Sequence, residues 1–348
     1  MRKKISLILF IIVAIFGFSF PVLSQKVELL GAGATFPMPL YTKMFDTYNQ
    51  KTGIKVNYQA IGSGAGITQL VNKTVDFGAT DAFMTNEELS KAGSAILHVP
   101  ICLGSVVITY NLPNNPKLRL TPEIIADIFL GKISNWNDPK IRAVNSGAKL
   151  PDMKITVVHR SDGSGTTFIF TDYLSKISNE WKNGPGVGKS LNWPTGLGAK
   201  GNSGVAGYIK QLPGAIGYIE LAYAIQNKMP VAVIKNKSGN FIEPSIKSTT
   251  HSASIQLPDD TRASITDTSA KEGYPISGFT WIIIYKEQNY SGRSKEKAQA
   301  LLDLLWWMIH DGQSLAEPLQ YAPLPKEVVK KAENILKSVE YNGAKLLK

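Results

Sequence analysis

The chain has 348 residues, with 38 Lys and Arg against 27 Asp and Glu, a formal net charge of +11 and one cysteine. A single thiol excludes an internal disulfide framework, so the fold must rest on its own core, and the length suggests about two domains. The four histidines, at positions 98, 159, 251 and 310, share no metal-ligand spacing. The lysines are scattered rather than gathered on a basic helix, which describes a solvated surface and argues against nucleic acid.

The chain opens with Arg2-Lys3-Lys4, an apolar run from Ile5 to Phe20, and Pro21-Val22-Leu23-Ser24. Basic, apolar and small-residue regions in that order predict a secretory signal peptide over residues 1–24, cleaved before Gln25. The run is shorter than the ~20 apolar residues of a membrane span. No cysteine stands at the junction, so a lipid anchor is not expected. Loss of Arg2, Lys3 and Lys4 takes the formal charge from +11 to +8, a balance that still steers anions toward the protein.

Val27 to Leu30 reads as a strand, and Gly31-Ala32-Gly33-Ala34-Thr35-Phe36-Pro37 as a turn. Leu40, Tyr41, Met44, Phe45 and Tyr48 then recur at helical spacing until Gly53 stops the helix. Phe36 stands where a dinucleotide fingerprint needs its third glycine, which makes a nucleotide cofactor a weak reading. The pattern repeats: strand Ile54–Ala60, turn Ile61-Gly62-Ser63-Gly64-Ala65-Gly66, then a helix with Ile67, Leu70 and Val71. Asp76 to Asp81 returns as a strand ending on a carboxylate, Glu87–Lys91 is a short helix, and Ile96–Asn111 is a long apolar strand. Thr121 and Pro122 form a favoured helix start before Ile124, Ile125, Ile128 and Phe129. Gly184 to Ser190 nearly matches a phosphate loop, but Asn183 occupies the place of the first glycine, and a surface loop is expected. A small-residue helix over Gly204–Gln211, strands at Ala215–Ile219 and Val231–Ile234, and a second long apolar run at 274–285 follow. Helices at Lys295–His310, around Leu315–Gln320 and at Lys326–Val339 end the chain.

The stretch His159-Arg160-Ser161-Asp162-Gly163-Ser164-Gly165-Thr166-Thr167 carries the most chemistry. It joins the strand Ile155–Val158 to an apolar helix through two glycines. A helix start presents unpaired N–H groups and a positive dipole end, and together these make an anion site. Ser164, Thr166 and Thr167 add hydroxyl donors. Arg160 adds a planar, permanently charged fork that suits a tetrahedral oxyanion, and Asp162 can pin that fork.

Strands alternating with helices predict an α/β fold with mostly parallel sheets, in which ligands sit at the carboxyl ends of strands. Three Gly-rich turns, near 31–36, 62–66 and 161–167, and the strand-end Asp81 can converge there. The long apolar runs near 96–111 and 274–285 would cross between two lobes. An anion between the lobes is the resulting expectation. A phosphatase would need a nucleophile with a base, or paired metals, yet Ser164 lacks a Gly-x-Ser-x-Gly context and His159 faces away from Arg160 along a strand. Asp81 is an acceptor when ionised, so it would favour an anion that still carries a proton over sulfate or molybdate.

Taken together, Gly31–Pro37, Gly62–Gly66, Asp76–Asp81, Arg160–Thr167, Phe129-Leu130-Gly131-Lys132-Ile133 with Trp136, and Leu212–Tyr218 resemble the periplasmic phosphate-binding protein of high-affinity phosphate ABC transporters. The similarity runs in order through the whole mature chain. It implies a type II periplasmic-binding-protein fold, α/β, with two lobes each built on a central mixed sheet flanked by helices. Lobe 1 would be 25–104 plus 276–348, and lobe 2 would be 105–275. It implies inorganic phosphate as ligand, no cofactor, no enzymatic activity, a periplasmic location and a monomer. The partner would be a two-subunit membrane permease with its ATPase. Phosphate contacts pass to Thr35, Phe36, Ser63, Asp81, Arg160, Ser164, Gly165 and Thr166, with Asp162 holding Arg160. The chain departs from the resemblance at Phe83, where proline is frequent, and at Thr80, where serine is common; both flank the site, so the resemblance defines the ligands there better than the loop shape.

Overall fold

The computed structural model describes residues 27–347, and the leader expected over residues 1–24 lies outside the described residues. Strand β1 (Glu28–Gly33), helix α1 (Met38–Thr52), β2 (Lys55–Ala60), α2 (Ser63–Val71), β3 (Phe77–Thr80), α3 (Asn86–Lys91) and the long β4 (Ile96–Tyr110) follow the hydrophobic pattern. Helix α1 buries Leu40, Tyr41, Met44, Phe45 and Tyr48 and ends at Gly53. There the left-handed φ of 76° suits glycine, and its N–H returns to the Asn49 carbonyl.

The middle of the chain carries β5 (Arg119–Leu120), α4 (Pro122–Phe129), α5 (Pro139–Val144), β6 (Thr156–Arg160), α6 (Gly165–Ile177) and α7 (Asn179–Asn183). Next come β7 (Leu197–Ala199), α8 (Gly201–Gln211), β8 (Ala215–Glu220), α9 (Leu221–Gln226), β9 (Val233–Lys235), β10 (Phe241–Ile242) and α10 (Ile246–Ser252). Thr121 caps α4 by accepting the Ile124 N–H, with Pro122 in the first turn. The segment over 184–190 is tied down rather than free: Trp181 is fully buried and its indole N–H donates to the Gly186 carbonyl at 2.8 Å.

The chain closes with β11 (Ser277–Tyr285), α11 (Lys295–Ile309), two 3-10 turns (Asp311–Leu315 and Glu317–Leu319), α12 (Lys326–Lys337) and the hairpin β12 (Glu340–Tyr341) and β13 (Ala344–Lys345). The 3-10 turns stand where a single helix around 315–320 was expected. Pro318 lacks the N–H that a continuous α-helical ladder would need there.

One eight-stranded sheet runs through the molecule in the order β2-β1-β3-β11-β4-β8-β6-β7. Its flanks are parallel, β1 with β2 and β3, and β6 with β7 and β8. Its middle is antiparallel, β11 with β3 and β4, and β4 with β8. The sheet is therefore mixed, and parallel only where helices supply the crossovers. Strand β4 serves both flanks. Its residues Ile96–Ser105 pair with β11, and Val106–Tyr110 pair with β8. The exchange falls at Ser105 and Val106, where Ser277 opens β11 opposite Ser105 and the Ile276 carbonyl accepts the Val106 N–H at 2.8 Å. Strands β3, β8 and β11 are buried at every residue, as a sheet covered on both faces requires. The loops leaving β1, β2, β3, β6, β7 and β8 at their carboxyl ends carry the polar buried residues described next.

Candidate functional site

Arg160 ends β6 and is 3% exposed, a burial that a guanidinium accepts only when paired. Its Nε donates to Asp162 Oδ1 at 2.7 Å and its Nη2 to Asp162 Oδ2 at 2.6 Å, a side-on fork. Its Nη1 points to Thr166 Oγ1 at 3.4 Å, and its backbone N–H donates to the Tyr218 hydroxyl at 3.1 Å. Asp162 Oδ1 also accepts the Gly201 N–H at 3.1 Å. Burial alone would raise the Asp162 carboxyl, but the Arg160 hydrogen bonds and charge, with the Gly201 N–H, hold it below its ordinary value.

Helix α6 opens with N–H groups that no helix carbonyl reaches. The Ser164 side chain caps the helix by accepting the Thr167 N–H at 3.0 Å. The Ser63 hydroxyl, from the start of α2, accepts the Gly165 N–H at 3.1 Å and the Asp81 N–H at 3.2 Å. Thr166 keeps a backbone N–H without a protein acceptor among the described residues. A Cβ on Gly165 would lie 2.5 Å from both Asp81 Oδ2 and Ser63 Oγ, so only glycine lets α6 approach this closely.

Asp81, just past β3, is 2% exposed. Burial pushes its carboxyl up to about 7, against the lowering effects of the Thr280 hydroxyl, the Arg160 charge and the Ser63 hydroxyl. Thr280 donates to Asp81 Oδ1 at 2.8 Å, and Ser63 faces Asp81 Oδ2 at 3.5 Å.

The turn after β1 is held by two tyrosines. Tyr223 donates to the Thr35 carbonyl at 2.6 Å and Tyr321 to the Phe36 carbonyl at 2.7 Å. The peptide between Thr35 and Phe36 is trans, so fixing the Thr35 carbonyl aims the Phe36 N–H the opposite way. Asn202, at the start of α8, joins this turn to α6, donating to Thr35 Oγ1 at 2.9 Å and to Thr166 Oγ1 at 3.1 Å.

The structure thus gathers Thr35, Phe36, Ser63, Asp81, Arg160, Ser164, Gly165 and Thr166, with Asp162 behind Arg160. Asn202, Tyr223, Thr280 and Tyr321 also belong to the assembly, and no local motif marked them; Tyr218 lies in the Leu212–Tyr218 motif, which gave it no site role. Direct contacts join the early and middle segments of the chain here: the Gly64 N–H meets the Gly163 carbonyl at 2.9 Å, and Lys189 Nζ meets Glu88 Oε1 at 2.6 Å. At the rim, Phe83 packs edge-on against Phe168 at 5.5 Å and Trp281 at 6.0 Å. Thr80 shapes the loop beneath, accepting the Ala82 N–H at 3.1 Å.

Chemically this is a set of donors around one guanidinium, with a single carboxyl poised near neutrality. It suits a tetrahedral oxyanion that still carries a proton. Nucleophilic chemistry has no support: the Ser164 oxygen is a helix cap. His159 stacks on Trp193 at 4.7 Å, on the other face of β6 from Arg160. Among the described residues no group of three or more His, Cys, Asp or Glu could hold a metal ion, and no helix is long and apolar enough to cross a membrane.

A family model described as the PBP superfamily domain matches residues 22–311. The phosphate-binding protein PstS of Xylella fastidiosa is 46% identical over 315 residues, which cover 89% of this chain and 85% of that protein. The phosphate-binding protein PstS of Pasteurella multocida is 43% identical over 327 residues, 92% of this chain and 93% of its own. A solved phosphate-binding protein from Stenotrophomonas maltophilia superposes with a TM-score of 0.69 at 18% identity, covering 88% of this chain and 93% of the other, a likeness of fold.

Proposed function

Because the chain belongs to the PstS family of phosphate-binding proteins, we propose that it captures inorganic phosphate and delivers it to an ABC transporter for import. It is a binding protein and not an enzyme. Lobe 1, residues 25–104 with 276–348, and lobe 2, residues 105–275, close on the ligand from opposite sides. Thr35, Phe36, Ser63, Asp81, Arg160, Ser164, Gly165 and Thr166 contact phosphate, and Asp162 holds Arg160. The protein is exported, loses residues 1–24, and works as a monomer in the periplasm. It docks on a permease of two subunits driven by an ATPase.

One observation carries the reading of the ligand. The buried Arg160 fork lies among hydroxyl and backbone donors, while the buried Asp81, its carboxyl raised to about 7, can accept a hydrogen bond from a proton that the anion still carries. Mass spectrometry of gently purified protein, followed by calorimetric titration of stripped protein with phosphate, tests it. Retained phosphate and a one-to-one titration are expected. Protein that ignores phosphate but takes another anion overturns the assignment.

A further inference from the structure

Asn202 lies on no family motif in the sequence, yet it is fully buried at the start of α8, between the turn after β1 and the start of α6. Its Oδ1 accepts the Glu220 backbone N–H at 3.0 Å. That N–H can only donate, so the atom facing it must be the oxygen, and the amide orientation is fixed by chemistry. The Nδ2 group then faces two hydroxyls and spends one hydrogen on each: Thr35 Oγ1 at 2.9 Å and Thr166 Oγ1 at 3.1 Å.

Counting lone pairs settles what those hydroxyls can still do. A threonine hydroxyl has two acceptor positions and one proton. Thr35 Oγ1 receives the Asn202 side chain and also the Asn202 backbone N–H at 3.3 Å. Thr166 Oγ1 receives the Asn202 side chain and Arg160 Nη1 at 3.4 Å. Both oxygens are saturated as acceptors, and each is left with one proton to donate. Ser63 is likewise filled by the N–H groups of Asp81 and Gly165, but its proton already faces Asp81 Oδ2 at 3.5 Å. The Thr35 and Thr166 hydroxyls are thereby set to donate before any anion arrives.

We propose that Asn202 is a positioning residue that forces Thr35 and Thr166, one from each side of the cleft, to act as hydrogen-bond donors to the bound oxyanion. It touches the ligand through neither atom; it acts by filling the hydroxyl lone pairs. Donors fixed in advance cost no reorganisation on binding, which is the advantage of a preorganised site. One amide serves both hydroxyls, so the two sides are aligned by the same group.

The inference rests on phosphate being the ligand, and its test is a double-mutant cycle read by calorimetric titration with inorganic phosphate. Thr35→Val and Thr166→Val each remove one donor to a charged ligand, and each should weaken binding by about tenfold or more in the wild-type background. Asn202→Asp keeps an oxygen for the Glu220 N–H but replaces the donor with an acceptor. The two hydroxyls then turn their protons onto the new carboxylate. In that background Thr35→Val and Thr166→Val should each cost less than about threefold. The added charge shifts the baseline of all affinities but cancels in the comparison. Asn202→Ala, which frees the hydroxyls to rotate, repeats the cycle without a charge and should again shrink the threonine costs. Circular dichroism confirms that each variant is folded. Equal threonine costs in all backgrounds, with wild type binding phosphate, overturn the role of Asn202 alone. Wild-type protein that takes up no phosphate overturns the ligand assignment and this inference with it.

Discussion

Thr280, on β11, donates its hydroxyl to Asp81 Oδ1 at 2.8 Å and so satisfies one oxygen of a carboxylate that is 2% exposed. Among the described residues the other oxygen has only Ser63, at 3.5 Å. Burial raises this carboxyl to about 7 despite Thr280, Arg160 and Ser63, so its protonation state changes near neutral pH. Above that value Asp81 is ionised and only accepts. Phosphate can still offer it a proton, and sulfate cannot. Below it Asp81 holds its own proton and can donate to either anion. The preference for phosphate over sulfate should therefore widen as pH rises through about 7, toward the ~10⁴-fold ceiling of a site built on one required hydrogen bond. Asp81→Asn should flatten this dependence and narrow the ratio, because an amide donates at every pH. Competition titrations at about pH 6 and 8 measure it; a wild-type ratio that does not move with pH would sink the mechanism.

Arg160 and Asp162 divide affinity and stability between them. Arg160→Lys replaces a planar fork by a point charge and should weaken phosphate binding by about tenfold or more. Asp162 accepts three N–H groups, two from Arg160 and one from Gly201. Asn offers one acceptor and turns its own donors toward at least one of them. Asp162→Asn should cost less affinity than Arg160→Lys but lower the stability of ligand-free protein by about 1–3 kcal/mol. The sign with pH follows from the carboxyl being held below its ordinary value of 3.8. Its contribution is present above that value and lost as pH falls through the depressed one. Chemical denaturation of both proteins should thus differ at neutral pH and converge in acid, and equal stabilities at neutral pH would refute the argument.

Helices and strands with strong periods were legible in the sequence. The spacing of Leu40, Tyr41, Met44, Phe45 and Tyr48 fixed α1, and Thr121-Pro122 marked the start of α4. The Gly-rich turns and Arg160 were legible because a helix start, a glycine and a fork each leave a local signature. Asn202, Tyr223, Thr280 and Tyr321 leave none. Each is a common residue in an ordinary setting, and its meaning comes from a partner far away, 285 positions in the case of Tyr321 and Phe36. Helix α10 escaped for another reason: Ile246-Lys247-Ser248-Thr249-Thr250-His251-Ser252 has no apolar stripe, and its start is a Ser245–Ser248 capping box. Strands β5 and β10 are two residues long, too short for any period to show.

Phe83, where the resemblance led to an expectation of proline, packs at the boundary between the two proposed lobes. Its ring meets Phe168 at 5.5 Å, with Trp281 on its other side at 6.0 Å. Such a pair is worth about 0.5–1.5 kcal/mol beyond the area it buries. In the proposed two-lobe closure that contact would form only when the lobes are together, so it should slow release rather than hasten capture. Phe83→Ala is expected to raise the phosphate dissociation rate by roughly 2- to 10-fold with little change in the association rate. Stopped-flow measurement with a fluorescent competitor decides the matter, and an unchanged dissociation rate would leave Phe83 as rim packing only.

Gly165 gives the most direct test of closure itself. Its missing side chain is what lets the start of α6 approach Asp81 and Ser63, since a Cβ there would stand 2.5 Å from Asp81 Oδ2 and from Ser63 Oγ. Carbon and oxygen cannot approach so closely, and neither neighbour is a flexible tip: Asp81 is held by Thr280, and Ser63 sits in the first turn of α2. The clash is confined to the meeting of the two sides. Gly165 is the first residue of α6, just after the N-cap Ser164, a helical position that alanine adopts without strain. Gly165→Ala should accordingly leave the ligand-free melting temperature unchanged or slightly higher while holding the cleft ajar. Phosphate would then meet the Arg160 side without the Asp81 and Ser63 side. Loss of two or more hydrogen bonds to a charged ligand predicts a fall in affinity of at least about 100-fold. Small-angle scattering of stripped wild-type protein should show a smaller radius of gyration once phosphate is added, because the ligand makes its full set of contacts only in the closed form. The Gly165→Ala variant, saturated with phosphate, should keep the larger radius. Wild-type affinity together with wild-type contraction in the variant would mean that the two sides need not meet at Gly165 for phosphate to bind.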